Sequence, residues 1–227
     1  MYTILSVGGS VIIPPTGFNS EFLKKFRDLI LREVSQGKKF ILVIGGGATC
    51  RKYQNGLRAA EITEATQLDW MGIETTVLNA HFVRHLFGEL AYEKVVVKPT
   101  RPVKTDKSII IVAGYKPGWS TDTDAVFLAK AYNAAEIFNL SNVDYIYDSD
   151  PRVNPEAQKF ETISWKRFRR IVGDKWVPGA NVPFDPVAAK KASRLKLKVG
   201  FVKGTDLGEV EKAITGAKFT GTVISPE

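Results

Sequence analysis

Residues 40–47, FILVIGGG, decide the fold class, because they join a continuous apolar run to three consecutive glycines. An apolar run of this length that stops at glycines is typical of a strand buried on both faces of a sheet. Residues 3–10, TILSVGGS, repeat the pattern, and residues 19–37 between them carry the spacing of an amphipathic helix. This alternation predicts a three-layer α/β/α sandwich with a mainly parallel central sheet.

The rest of the chain continues this alternation. Apolar runs predict further strands at residues 94–97, 108–112, 136–140 and 198–202. Helical spacing follows the triple glycine and returns at residues 122–134, 164–172, 185–195 and 207–215. In the first helix we expect Asn19 or Ser20 to cap the start and Gly37 to end it. A chain of 227 residues with 44% hydrophobic content fits one core, so we expect a single domain over residues 1–227.

The composition excludes several classes of protein. No apolar stretch approaches the roughly 18 residues of a membrane span, and residues 1–4 do not resemble a signal peptide, so we expect a cytoplasmic protein without membrane contact. Cys50 is the lone cysteine, which excludes an internal disulfide and a multi-cysteine zinc site. The net charge of +8 comes mostly from residues 159–227. A basic face of this kind attracts polyphosphates or nucleic acid, or simply keeps a protein soluble.

Three glycine-rich loops mark the expected site, since ligands of open α/β sheets bind where strands end and helices begin. They are residues 8–10, 45–47 and 114–122. Glycine lets a backbone approach phosphate closely, so three such loops suit two phosphorylated ligands. A turn without a ligand explains each loop alone equally well. The sequence contains neither a Walker A motif nor a complete dinucleotide fingerprint.

Two charged residues beyond the second loop support this hypothesis. Arg51 stands one helical turn into the following segment, where its guanidinium either reaches a phosphate or faces solvent. Asp69 lies between apolar residues in the sequence LDWMGI. A carboxylate in such a place can accept hydrogen bonds from ribose hydroxyls. Spacing alone assigns neither role.

The motifs taken together resemble those of a known family. In order, they are residues 4–13, the triple glycine with residues 51–53, residues 69–73, 118–122 and 142–144, Tyr147 with residues 150–152, and residues 185–189. This series is similar to that of the archaeal-type uridylate kinases in the amino acid kinase superfamily. The resemblance covers nearly the whole chain, and residues 221–224 resemble the terminal strand of that family.

The resemblance implies the amino acid kinase fold and an ATP-dependent transfer of a phosphoryl group to UMP. It implies that the N-terminal part binds UMP and that residues from about 135 to 227 bind ATP, with Mg²⁺ as the accompanying ion. By this resemblance the UMP-binding residues are Gly46, Gly47, Arg51, Asp69, Ser120 and Thr121. The ATP-binding residues are Gly8, Gly9, Ser10, Asn142, Tyr147 and Asp150.

The resemblance implies that Asp122 organises the reacting centre and that Ser10 lies at the ATP phosphates, so we expect both to be catalytic. We add Lys116 as a third candidate catalytic residue on its position in the loop before Asp122. No metal site made of protein ligands alone is expected. The family also implies a homo-oligomer, namely a hexamer. Two alternatives stay open: a non-catalytic nucleotide or oxoanion binding or storage protein on the same fold, and a kinase with another acceptor such as isopentenyl phosphate.

Three positions depart from the family pattern. Many relatives carry a lysine where this chain has Ser6, and others carry one where it has Ala48. A cation at the transferring phosphate is therefore missing, and Lys116 is our candidate to replace it. Tyr145 stands where the family places a glycine, so a ring is added beside the expected adenine site.

Two further patterns have simpler explanations. His81 and His85 have the spacing of metal ligands on one helix face, but no third ligand follows, so we expect no metal site there. Residues 165–170 combine basic and aromatic side chains as RNA-binding segments do. The same spacing fits an amphipathic helix whose charges face water. Nucleic acid is therefore not an expected partner.

Overall fold

The computed structural model describes residues 1–151, 153–175 and 182–226. Its main strands are β1 (Tyr2–Val7), β2 (Lys39–Ile44), β3 (Ile109–Val112), β4 (Glu136–Ser141), β7 (Thr162–Ser164), β8 (Lys198–Lys203) and β9 (Gly221–Ser225). They form one sheet in the order β3-β2-β1-β4-β8-β9-β7. Every neighbouring pair is parallel except β8 and β9. A separate antiparallel pair consists of β5 (Ile146–Tyr147) and β6 (Lys159–Phe160).

Helices cover both faces of this sheet. They are α1 (Gly9–Ile12), α2 (Ser20–Ser35), α3 (Gly47–Ala59), α4 (Ala65–Phe87), α5 (Thr121–Ala131), α6 (Trp165–Val172), α7 (Pro186–Arg194) and α8 (Leu207–Thr215). Successive strand residues point to opposite faces, so Ile4 belongs to the core on the side of α5, α6 and α7, whereas Leu5 belongs to the core on the side of α2, α4 and α8. The predicted α/β/α sandwich is confirmed. Within the described residues, no helix is both long and apolar enough to cross a membrane.

The first long helix has the ends that the sequence predicts. The side chain of Asn19 accepts a hydrogen bond from the backbone N–H of Phe22, as an N-cap does. Gly37 follows the last turn with a φ of +89°, a conformation that glycine adopts without strain. Local chemistry therefore determines where α2 begins and ends.

The expected strand at residues 94–97 is wrong. Only Val96 forms a bridge, to Val112 at the edge of β3. Val97 is 46% exposed, and the nearby Pro99 has no backbone N–H to donate to a ladder. This apolar segment therefore touches the sheet edge without extending the sheet.

The first two glycine loops contact each other through their backbones. β1 and β2 are parallel neighbours and end side by side. A Cβ atom on Gly9 would collide with the backbone of Gly45 and Gly47, so only glycine fits there. Asn79 of α4 fixes the second loop from behind, because its amide donates to the carbonyl oxygens of Gly45 (2.9 Å) and Gly46 (3.1 Å).

Gly9→Ala should lower the free energy of unfolding by more than about 2 kcal/mol, because the added methyl group forces the two loops apart. Gly56→Ala is the matched control. Gly56 lies inside α3, where an added Cβ meets no atom within 4 Å. Since alanine favours a helix over glycine, the control should gain up to about 1 kcal/mol. Urea unfolding of both variants measures the difference, and equal effects would contradict the close approach.

Candidate active site

Two cavities meet at the carboxyl ends of the central strands. We call the first the glycine cavity, and it has a volume of about 470 Å³. Its polar lining includes Ser6, Gly8, Gly9, Ser10, Gly45, Gly47, Arg51, Thr121, Asp122, Asn139, Ser141 and Asn142. The second, the helix cavity, has a volume of about 190 Å³ and lies between α3, α4 and α5, with a lining that includes Gly46, Cys50, Asp69, Ile73, Trp119, Ser120 and Asp185. Thr121 and Asp122 line both cavities. A ligand in one can therefore touch a ligand in the other.

Arg51 joins the first two glycine loops. Its guanidinium donates a hydrogen bond of 2.9 Å to the hydroxyl oxygen of Ser10. Gly47 begins α3, so backbone N–H groups at a helix start also face this region. The glycine cavity thus combines a cation with the positive end of a helix, which is an arrangement that binds anions.

Asp122 lies where the two cavities meet, and two strands position it. The hydroxyl of Ser6 in β1 and the amide of Asn139 in β4 each donate to its Oδ1 at 2.8 Å. Ser6 and Asn139 are register partners across these strands. Burial raises the pKa of Asp122 to about 7, and the neighbouring carboxylate of Asp185 adds to the shift, while the hydrogen bonds from Ser6, from the Asp185 backbone and from Ser120 oppose it. At neutral pH this carboxyl group therefore exchanges between its two protonation states.

Asp185 connects α5 to α7. It caps α7, because its Oδ1 accepts from the backbone N–H groups of Val187 (2.7 Å) and Ala188 (2.8 Å). Its Oδ2 accepts hydrogen bonds from the hydroxyls of Ser120 and Thr123. The loop that carries Ser120, Thr121 and Asp122 is therefore held against the start of a second helix.

Asp69 lies on the wall of the helix cavity. Its Oδ2 accepts a hydrogen bond of 2.8 Å from the backbone N–H of Gly118. This contact joins α4 to the third glycine loop. The structure thus brings Asp69 together with Ser120 and Thr121, as the sequence predicts for one binding site.

Lys116 is not among the residues that line either cavity. Its ammonium lies 4.6 Å from the centre of the Trp119 ring and 5.9 Å from that of Tyr115, so it makes cation–π contacts. Trp119 itself lines the helix cavity. Lys116 therefore contacts a residue of the helix cavity without lining the cavity itself, and its catalytic role stays a prediction.

The residues predicted near the ATP base are more scattered. Asn142 lines the glycine cavity, whereas Tyr147 and Asp150 are not among its lining residues. The Tyr147 hydroxyl donates to the Asp144 carboxylate at 3.2 Å. The ring of Tyr145 lies 4.4 Å from the ammonium of Lys159 in β6. Arg152, part of the motif at 150–152, is outside the described residues.

Sequence patterns missed several residues that build the site. In the sequence Ser6 stands out only as a departure from the family pattern, and no motif marks Asn139 or Asn79. Asn139 interrupts an otherwise apolar buried strand, and Asn79 is 1% exposed in α4. A buried amide needs hydrogen-bond partners, so Asn139 between apolar strand residues is a usable signal, whereas the mixed sequence of α4 gives none for Asn79.

The exposed histidines and the basic helix take no part in this site. His81 and His85 are both exposed on α4. Among the described residues, no group of three or more His, Cys, Asp or Glu side chains could hold a metal ion. Residues 165–172 form the amphipathic helix α6, with Trp165 and Phe168 buried.

Comparison with known proteins identifies the family. The sequence pattern described as "Amino acid kinase family" matches residues 1–202. The chain belongs to the amino acid kinase family. The kinase is 33% identical to a uridylate kinase of Methanospirillum hungatei, over 98% of this chain and 94% of that protein. It is also 33% identical to a uridylate kinase of Pyrococcus abyssi over the full length of both.

Solved structures support the same assignment of fold. The kinase superposes on the crystal structure of uridylate kinase from Archaeoglobus fulgidus with a TM-score of 0.83 and 31% identity, covering 99% of this chain and 100% of that one. A UMP kinase from Bacillus anthracis, 21% identical with a TM-score of 0.79, shares the fold. The resemblance drawn from the motifs is thereby confirmed.

Asp122→Asn should stabilise the ligand-free kinase at high pH. Because the pKa of Asp122 is about 7 in the folded protein and near about 4 in an unfolded chain, the native state holds the proton more tightly. Stability of the parent should therefore fall as the pH rises from about 4 to about 7, and the variant should lack this part of the fall. We expect a gain of about 1–4 kcal/mol at pH 8 and almost none at pH 4.5, measured by urea unfolding.

Asp174→Asn is the control for this experiment. A hydrogen bond from Arg169 lowers the pKa of Asp174, which is the opposite direction, so this variant should show no gain at pH 8. An Asp122→Asn variant with the same stability change at both pH values would show that this carboxyl group is not the titrating one.

Proposed function

We propose that the kinase transfers the γ-phosphoryl group of ATP to UMP and releases ADP and UDP. The observation that carries this proposal is the junction of the two cavities at Thr121 and Asp122. A donor phosphate in the glycine cavity and an acceptor phosphate in the helix cavity would meet there. The relatives named uridylate kinase match the chain almost from end to end, which favours UMP over other acceptors and over a non-catalytic binding protein.

The helix cavity would hold UMP. Its wall offers Asp69 as an acceptor for the ribose hydroxyls and an apolar surface from Ile73 and Trp119 for the base. Ser120 lines the same cavity, and Thr121 lies at the junction of the two cavities. The phosphate of UMP would lie at the start of α3, where Gly46 lines the helix cavity. Gly47 and Arg51, the other predicted UMP contacts, line the glycine cavity, so Arg51 would stand between the phosphates of both nucleotides.

The glycine cavity would hold the phosphates of ATP. Gly8, Gly9 and Ser10 supply backbone groups to its lining, and Asn142 lines it as well. We keep Tyr147 and Asp150 as predicted contacts of the adenosine part. Residues from both sides of position 135 line this cavity. The proposed acceptor part and donor part therefore share the cavity within one proposed domain.

Phosphoryl transfer asks the protein mainly for positioning and charge neutralisation, so no general base is required. Mg²⁺ fits this site as an ion that arrives with ATP. It commonly binds through one or two carboxylates and the substrate phosphates, and Asp122 is the carboxylate among the described residues that line the glycine cavity. When bound, the ion would neutralise charge on the phosphoryl oxygens. Lys116, beside Trp119, remains our candidate for a protein cation on the transferring group.

A coupled assay tests the activity directly. With MgATP we expect UMP to stimulate ADP release far more than AMP, GMP or isopentenyl phosphate do, and chromatography should identify UDP as the product. The absence of UMP-dependent ADP release at saturating ligand concentrations would exclude the proposed reaction.

Asp69→Ala serves as the site-specific variant in this assay. It should raise the KM for UMP about tenfold or more and leave the KM for ATP nearly unchanged, because it removes a ribose contact on the acceptor side only. Arg51→Ala should raise the KM for UMP more than Asp69→Ala does, because it removes a charge-assisted contact to phosphate. Equal losses for both nucleotides in Asp69→Ala would mean that the two cavities are wrongly assigned.

We further propose a cytoplasmic homo-oligomer, assembled as a hexamer. Large apolar side chains are exposed on α4 and beside it: Trp70 of α4 is 44% exposed and Leu78 62%. Phe18, whose ring lies 4.7 Å from that of Phe82 in α4, is 56% exposed. An oligomer would cover such side chains. Light scattering at micromolar concentration should report a particle several times the chain mass of 25.1 kDa, and a monomer would contradict the proposal.

A further inference from the structure

The glycine cavity is short of positive charge for a triphosphate. Arg51 is the cationic side chain among its described lining residues, and it already donates to Ser10. Asp122 adds a carboxyl group to the same cavity. A triphosphate carries several negative charges, so a further cation close to this cavity would strengthen binding.

Lys203 does not line the glycine cavity but occupies a suitable place next to it. It is the last residue of β8 and the register partner of Ser141, which ends β4 and lines the glycine cavity. The next N–H, that of Gly204, donates to the carbonyl oxygen of Ser141 at 2.7 Å. Lys203 therefore lies at the carboxyl edge of the sheet, next to a strand whose last residue lines the glycine cavity.

Gly204 fixes this position by close packing. A Cβ atom there would come within 2.9 Å of Val11 and 3.0 Å of Leu140, so the turn after β8 lies tightly against α1. Lys203 also lines a groove of about 660 Å³ that has Ser10 and Val11 as part of its wall. These two residues line the glycine cavity as well. Lys203 and the glycine cavity are thus on either side of one short wall.

The ammonium of Lys203 has no protein partner among the described residues. The side chain is exposed and takes part in none of their ion pairs or hydrogen bonds. The nearby Asp206 is engaged as the cap of α8, since it accepts from the N–H of Glu209 at 3.2 Å. In the same groove, Lys25 is paired with Glu21 at 2.7 Å. Lys203 is therefore free to turn toward a bound anion.

We infer that Lys203 binds the triphosphate of the donor nucleotide from the rim of the glycine cavity, which rests on the proposed function for the identity of the donor. Its long, flexible side chain can reach over Ser10 without a change in the backbone. This contact is made on the donor side only. Lys203 is therefore a donor-binding residue, distinct from Lys116 on the acceptor side.

Lys203→Met removes the charge and keeps most of the side-chain volume. We expect it to raise the Kd for MgATP, measured by calorimetry without UMP, and the KM for ATP by about tenfold each, with the KM for UMP unchanged. Lys203→Arg should restore most of the affinity. Since the contact is exposed, the difference between parent and Lys203→Met should shrink at 0.5 M salt, a roughly threefold increase over physiological ionic strength.

Lys25→Met is the matched control, because it removes a lysine of the same groove that already has a protein partner; it should behave like the parent. Lys203→Met with parental affinity for MgATP, or with equal losses for ATP and UMP, would overturn the inference. The binding measurement does not depend on turnover. A parent protein that binds MgATP but does not phosphorylate UMP would refute the proposed function while the test of Lys203 still decides its own question.

Discussion

The backbone contact between the first two glycine loops is the constraint on which the site depends. Two parallel neighbours, β1 and β2, deliver their loops to one point, and Gly9 packs there against Gly45 and Gly47 without side chains between them. This contact holds the N–H groups of both loops, and the helices that follow, around a single cavity. Arg51 then bridges the two loops by its hydrogen bond to Ser10, so the position of the positive charge in the cavity depends on the same backbone contact.

Much of this arrangement could be predicted from sequence, because glycine pairs after apolar runs and caps such as Asn19 are local signals. The hydrogen-bond partners of Asp122 could not be predicted, because Ser6 lies 116 residues away along the chain and meets Asp122 only through the strand order. The error at residues 94–97 has another cause: the segment meets the open edge of β3 at Val96 alone and Val97 stays exposed, which apolar content does not reveal. The short strands β5, β6 and β7 are set by long-range pairing, which a local pattern does not contain.

Some predicted site residues meet in one cavity, whereas others lie away from it. Asp69, Ser120 and Thr121 converge on one cavity because a hydrogen bond from Gly118 and the cap formed by Asp185 hold their segments together. Tyr147 belongs to the small β5–β6 pair outside the main sheet, and its hydroxyl is engaged with Asp144. Motif and geometry therefore agree best for residues whose segments are tied together by such hydrogen bonds around one cavity.

The shared hydrogen bonds of Ser6 and Asn139 to one oxygen of Asp122 have an evolutionary consequence. A lysine in place of Ser6 would bring a positive charge beside Asp122, lower its pKa and displace a donor that now complements Asn139. Positions 6, 122 and 139 should therefore accept substitutions as a set rather than singly. Lineages that exchange serine for lysine at position 6 would pass through intermediates whose fitness depends on the residues already present at positions 122 and 139.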